Sequence, residues 1–297
     1  MPSSIIDSHI HTYRRAEEGR QAQQGTGRSG HTGVVDEYLE LLAGGAIEAA
    51  VMVNMTPVAE MRDALVSRGS TEEEASAEAI ARLRRRNAWT CELAREHPQL
   101  VPYISVDPSM GEEGAVAELT ARVAEGARGI KLHPANQRYA PGDRRLWPLY
   151  EEVQRLELPI ISHCGLSFNR KLPEYASPAA FREVLEQFPG LTLVLAHLGH
   201  GFLDESFEMA KRFPNLSFDC SYVVEGSLDP PAISDEDVVA IFRRLGVERV
   251  LFGSDWPWGH PLRDAERIRR LPLTEEEHRL ILSDNARRVL GIDMTAS

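Results

Sequence analysis

Two histidines, His9 and His11, close the short apolar run SIIDSHIH near the start of the chain. On a strand, residues i and i+2 share a face and stand roughly 6–7 Å apart. Two imidazoles at that spacing can tilt towards one ion, because Zn–N bonds measure about 2.0–2.1 Å. Further apolar runs also end in ligand-capable side chains. GIKLH carries Lys131 and His133, PIISHC carries His163, LVLAH ends at His197, and LFGSD ends at Asp255. Imidazoles from His9, His11 and His163 with the Asp255 carboxylate would make a four-ligand protein shell. Such a donor set favours one divalent ion, zinc first, with manganese, iron or cobalt also compatible. Taken singly, each residue has a plainer reading. An HxH pair is usually structural, His163 suits a core position, Asp255 suits a turn cap, and His197 with His200 suits a helix cap. Their joint placement at strand ends carries the argument.

That placement depends on the elements. Eight short apolar, β-branched runs can be read as strands: 4–11, 47–54, 100–106, 127–133, 158–164, 191–197, 215–221 and 248–255. Amphipathic segments of helical length separate most of them. Residues 34–45 end in Gly-Gly, residues 111–126 and 144–157 space apolar residues helically, and residues 177–188 open with Ser-Pro, a good cap and first-turn pair. Residues 234–246 open with acids and end with arginines and a glycine, matching the helix dipole. Eight strand–helix alternations predict a (β/α)₈ TIM barrel, in which these strand ends converge on one mouth. A doubly wound sheet would usually carry a glycine-rich phosphate turn, and neither GxGxxG nor a P-loop occurs. With no repeat or linker, one domain over residues 1–297 is expected.

The net charge of −12 argues against nucleic acid or an anionic membrane as the main partner, though a local pocket can still be basic. No run is long and apolar enough to cross a bilayer, and no signal peptide is expected. Cys91, Cys164 and Cys220 are scattered without CxxC, so a reduced, cytoplasmic setting is expected. Two stretches exceed the βα pattern, residues 12–33 and 55–71. Both follow strand ends on the active face. The first is read as a lid without regular structure, with a plain surface excursion as the alternative.

DSHIH, GIKLHP, PIISHCG, LVLAHLGH and LFGSDWP, in this order, resemble the amidohydrolase superfamily. The nearest likeness is to its amidohydrolase-2 branch of metal-dependent hydrolases, which includes aminocarboxymuconate-semialdehyde decarboxylase. The likeness runs from residue 5 to about residue 291. It implies His9, His11, His163 and Asp255 as metal ligands, with Asp255 also taking a proton from water. It implies His197 as an acid, base or electrostatic helper. Lys131 is then either a charge near substrate at a one-metal site or, as in some two-metal relatives, a carboxylated bridge; GIKLHP favours the former. Hydrolysis of an amide, lactone or ester of a small, carboxylate-bearing substrate follows, with non-oxidative decarboxylation of an unsaturated or aromatic acid as the alternative. Many benzoate-type decarboxylases carry Glu at the position of His9, which favours hydrolysis here, although the aminocarboxymuconate enzyme also has HxH. Branch members are often dimers or larger, and the resemblance carries that expectation.

Arg14, Arg15, Arg138, Arg170 and Lys171 are expected near the mouth, where one or two would pair with a substrate carboxylate. Trp256, Trp258 and Tyr222 offer either an aromatic wall or core packing. Asp7 is expected to share the face of His9 and His11 and to orient a ligand imidazole.

Overall fold

The computed structural model describes residues 4–166, 173–223 and 234–293. Eight parallel strands form one sheet in sequential order: β1 Ile5–Ile10, β2 Ile47–Met52, β3 Leu100–Ser105, β4 Gly129–Leu132, β5 Ile160–Ser162, β6 Leu193–Leu195, β7 Leu216–Asp219 and β8 Val250–Leu251. The seam between β8 and β1 closes through backbone bonds. Ser8 N–H donates to Phe252 O (2.9 Å), Asp255 N–H to His9 O (2.9 Å) and His11 N–H to Trp256 O (2.7 Å). The expected TIM barrel is therefore the fold, with each strand run shortened at its ends.

Helices connect the strands: α1 Ala16–Gln23, α2 Val35–Ala43, α3 Val58–Val66, α4 Glu72–Glu96, α5 Glu112–Ala124, α6 Pro134–Gln137, α7 Trp147–Arg155, α8 Pro173–Ala176, α9 Arg182–Gln187, α10 Leu203–Arg212, α11 Asp235–Leu245, α12 Pro261–Arg270, α13 Glu275–Arg279 and α14 Asn285–Leu290. Their ends obey local chemistry. In α4, Thr71 and Glu74 form a reciprocal capping box ahead of three acidic residues. In α11, Ser234 caps the first turn, and Gly246 at φ +96° ends the helix in a conformation glycine adopts without strain. The Ser-Pro pair at 177–178 behaves differently from its expected role. It opens a 3₁₀ turn before α9, and the Ser177 hydroxyl donates to Glu205 (2.7 Å) instead of capping.

Two cores result. Strand residues such as Ile5, Met52, Ile130 and Leu195 pack outwards against the helices. Ile6, Val51, Tyr103, Ile161, Val194 and Leu251 fill the barrel interior, where Ala286, Leu290 and Ile292 close its lower end.

Strand β1 breaks regular alternation. Asp7 pairs with Ala50 and Ile10 with Met52, so three steps on β1 match two on β2, an inserted residue that makes a β-bulge. Ile6 lies in the interior core and Ile10 in the outer core. Asp7 turns outwards to the Tyr38 hydroxyl of α2 (2.9 Å), while beyond the bulge His9 turns inwards. The expectation that Asp7 shares the face of His9 is thus corrected.

Residues 12–33 also differ from the reading of a lid without regular structure. Residues 12–33 contain α1 and are tied across the mouth: Arg28 N–H donates to Trp258 O (2.7 Å) and Ser29 Oγ to Pro257 O (2.6 Å). Residues 55–71 contain α3, packed on α4.

Candidate metal centre

His9 and His11 reach the mouth from β1, and Asp255 enters from the turn after β8. Their donor atoms lie within 4.8 Å of one another, an arrangement able to hold a metal ion. Asp255 Oδ1 stands 3.3 Å from His11 Nε2 and 3.5 Å from His9 Nε2. All three residues are buried. Asp255 adopts φ +55°, a conformation that costs a non-glycine residue about 1–3 kcal/mol. Its N–H bond to His9 O holds it there, so the seam of the barrel fixes the carboxylate against the histidine pair.

Asp219, at the end of β7, organises the surroundings. Its Oδ2 accepts from His9 Nδ1–H (2.9 Å). Its Oδ1 accepts from the backbone N–H groups of His197 and Ser221, both at 3.0 Å, and from the Ser221 hydroxyl. Burial alone would raise this carboxyl, but the charge and hydrogen bond of His9, with the Ser221 contact, hold it well below the ordinary carboxylate range. An ionised Asp219 fixes the His9 proton on Nδ1, which turns the Nε2 lone pair towards His11 and Asp255. The sequence analysis assigned this orienting role to Asp7. Asp7 instead accepts backbone N–H bonds from His9 (3.2 Å) and Ser254 (2.9 Å) and a hydroxyl bond from Ser254 (2.6 Å), and touches no imidazole. Burial raises its carboxyl to about 6.

His163 stands one imidazole further away. His197 Nδ1–H donates to Ser221 O (3.0 Å), which leaves His197 Nε2 to accept from His163 Nδ1–H (3.2 Å). His163 Nε2 is then a buried lone pair, and it has no hydrogen-bond partner among the described residues. These tautomers follow from the bonding pattern. The His133 ring stacks on His163 at 3.9 Å. His197 itself sits in a left-handed turn, φ +59°, secured by its N–H bond to Asp219.

Lys131 is 1% exposed, and its Nζ lies 3.1 Å from His9 Nε2. Burial lowers its ammonium to about 8, against the pull of Asp219 and Asp255. Burial, followed by the Lys131 charge, pushes His9 down to about 4. Burial also raises the Asp255 carboxyl, which the nearby His9, His197 and Lys131 charges offset in part.

Of the residues expected at the rim, Trp258 meets His11 edge-on at 5.4 Å, whereas Trp256 is fully buried against Tyr38 (5.1 Å). Arg28 lies over the Tyr222 ring at 4.7 Å. Arg138 pairs with Asp63 of α3, Arg14 lies over Trp89, and Arg15 is exposed. Arg170 and Lys171 lie outside the described residues.

This geometry agrees with what the chain is similar to. The chain belongs to the amidohydrolase family, whose model matches residues 6–292. Among solved structures, an uncharacterised TIM-barrel protein from Bordetella bronchiseptica is 23% identical, with 97% of this chain and 98% of that one covered at a TM-score of 0.73. A dihydroxybenzoic acid decarboxylase from a Polaromonas species, with bound manganese and 2-nitroresorcinol, is 15% identical, with 97% of each chain covered and a TM-score of 0.69. A candidate 2-pyrone-4,6-dicarboxylic acid hydrolase from Pseudomonas putida is 19% identical, with 98% of each covered and a TM-score of 0.62. At these identities the likeness establishes the fold. No curated protein matches the chain. No helix among the described residues is long and apolar enough to cross a membrane.

Proposed function

We propose that the protein is a metal-dependent hydrolase of a small, carboxylate-bearing amide, lactone or ester, with His9, His11, His163 and Asp255 holding one divalent ion, zinc by preference. The observation that carries this reading is the buried convergence of His9, His11 and Asp255; His163, whose Nε2 is orphaned, stands outside that group, one imidazole further away. The donor set fits a borderline divalent cation. An ion held on His9 Nε2 would take the lone pair that accepts from Lys131 Nζ, and so would free the ammonium. When bound, such an ion acts as a Lewis acid towards a carbonyl and acidifies water.

The chain's own groups supply the rest. Asp255 takes the proton of the attacking water and returns it to the leaving nitrogen or oxygen. Lys131, released from His9, offers a buried cation to developing negative charge. His197 acts by keeping the His163 proton on Nδ1, because both of its own ring nitrogens are engaged.

A second reading is decarboxylation, favoured by two features of the same site. The buried Lys131 ammonium can hold a carboxylate, and burial raises Asp255 towards its protonated form. The C–C bond then breaks, CO₂ leaves, and the electron pair left on carbon takes the Asp255 proton.

Metal analysis of purified protein, followed by a panel of lactones, amides and carboxylic acids, separates these readings. About one equivalent of metal with lactone or amide cleavage supports the first. CO₂ release without such cleavage replaces it with the second. Protein that takes up no metal sinks both.

A further inference from the structure

The chemistry above leaves one half-buried charge unused. Arg86 sits midway along α4, and its side chain crosses to the mouth of β1. There its Nη2 donates to Thr12 O (2.5 Å), one residue beyond His11. Asn54 pins that backbone, accepting from Thr12 N–H (2.8 Å), while α4 is docked through Asn87 on Ser105 (2.9 Å). The Arg86 guanidinium therefore has a fixed position. It lies over the Tyr13 ring at 4.8 Å and against Trp89 at 5.7 Å.

Arg86 lacks an acid. Its Nε is buried with no hydrogen-bond acceptor, and no carboxylate of the described residues pairs with it. Glu18 acts on it only at longer range, and Arg14, over the same Trp89 ring at 5.2 Å, adds a second positive charge. A guanidinium partly withdrawn from water without a matching anion carries a desolvation cost, and a like charge beside it adds to that cost. In a chain of net charge −12, this local excess of positive charge at the mouth stands out. A guanidinium lying over aromatic rings without an acid partner offers its charge to a carboxylate.

We propose that Arg86, with Arg14 beside it, binds the carboxylate of the substrate at the rim beyond His11. The substrate is then a small acid whose carboxylate and reacting group lie apart, one on Arg86 and the other at the metal centre. The role in catalysis rests on the hydrolase reading, but anion binding does not, and the test separates them.

Benzoate and its neutral isostere benzamide are titrated by calorimetry into metal-stripped and metal-loaded protein. Wild type is expected to bind benzoate at least about tenfold more tightly than benzamide in both forms. Arg86→Met is expected to weaken benzoate by about tenfold, leave benzamide within about twofold, and leave metal content unchanged. A structural brace would instead weaken both ligands together and lower the melting temperature. Should Arg86→Met fail to fold, Arg86→Lys and Arg86→Gln replace it, the first keeping the benzoate preference and the second losing it. A preference that survives loss of the charge, or a wild type without one, overturns the proposal. A wild type that binds no metal yet prefers benzoate removes the hydrolase reading and leaves this one standing.

Discussion

The two halves of the barrel interior are both buried, yet they draw on partly different strands and differ in chemistry throughout. The lower half is apolar: Ile6, Val51, Tyr103, Ile161, Val194 and Leu251, closed by Leu290 and Ile292. The upper half holds His9, His11, Lys131, His163, Asp219 and Asp255, a set of polar groups that folding alone would not gather. Burying the first set stabilises the chain by the area it removes from water. Burying the second costs desolvation, returned only in part by hydrogen bonds. The barrel thus separates stability from chemistry along one axis, and the upper half is bearable because the lower half holds the strands in place.

That separation can be tested from both sides. Asp255→Asn or His9→Ala should lower turnover of whichever substrate is found by at least about 10³-fold, roughly 4 kcal/mol of barrier. The melting temperature should hold, and metal content by mass spectrometry should collapse; wild-type activity in either variant would refute the site. Leu251→Ala works on the opposite half. It should cost about 2–5 kcal/mol of stability in urea unfolding while metal content stays intact. Loss of metal without loss of stability there would mean the halves are not separate. Asp219→Asn should weaken metal binding about 10–100-fold in competition with a chromophoric chelator. An unchanged affinity would show that Asp219 does not set the His9 tautomer. The smallest effect is expected for Tyr38→Phe, which removes one of the hydrogen bonds on Asp7 and should cost about 0.5–1.5 kcal/mol with metal affinity untouched. A shift in metal affinity would reveal that Asp7 reaches the site after all.

The lower half and the strand order were legible in the sequence because apolar runs of strand length recur with helical segments between them. The meeting of His9, His11 and Asp255 was legible for the same reason: each closes an apolar run at or just beyond the mouth end of a strand, and a barrel brings those ends together. What escaped was whatever depends on local departures from regularity. The bulge in β1 turns Asp7 outwards, and alternation has no way to announce an inserted residue. Asp219 was visible as the acid within NLSFDCS, at a strand end like the others, but a single aspartate there looks the same as a turn cap. Arg86 arrives from the middle of a 25-residue helix, so its position at the mouth follows only from how α4 docks. The helix inside residues 12–33 was masked by its polar composition.

The Asp7–Ser254 clasp has a consequence in time as well as in space. It joins residues 247 positions apart, and the same seam carries His9 and Asp255. A ribosome delivers the histidine pair first and the carboxylate only when nearly all of the described chain has emerged. During synthesis, the early histidines therefore wait for the carboxylate, and the group that could hold a metal ion is complete only with closure of the barrel.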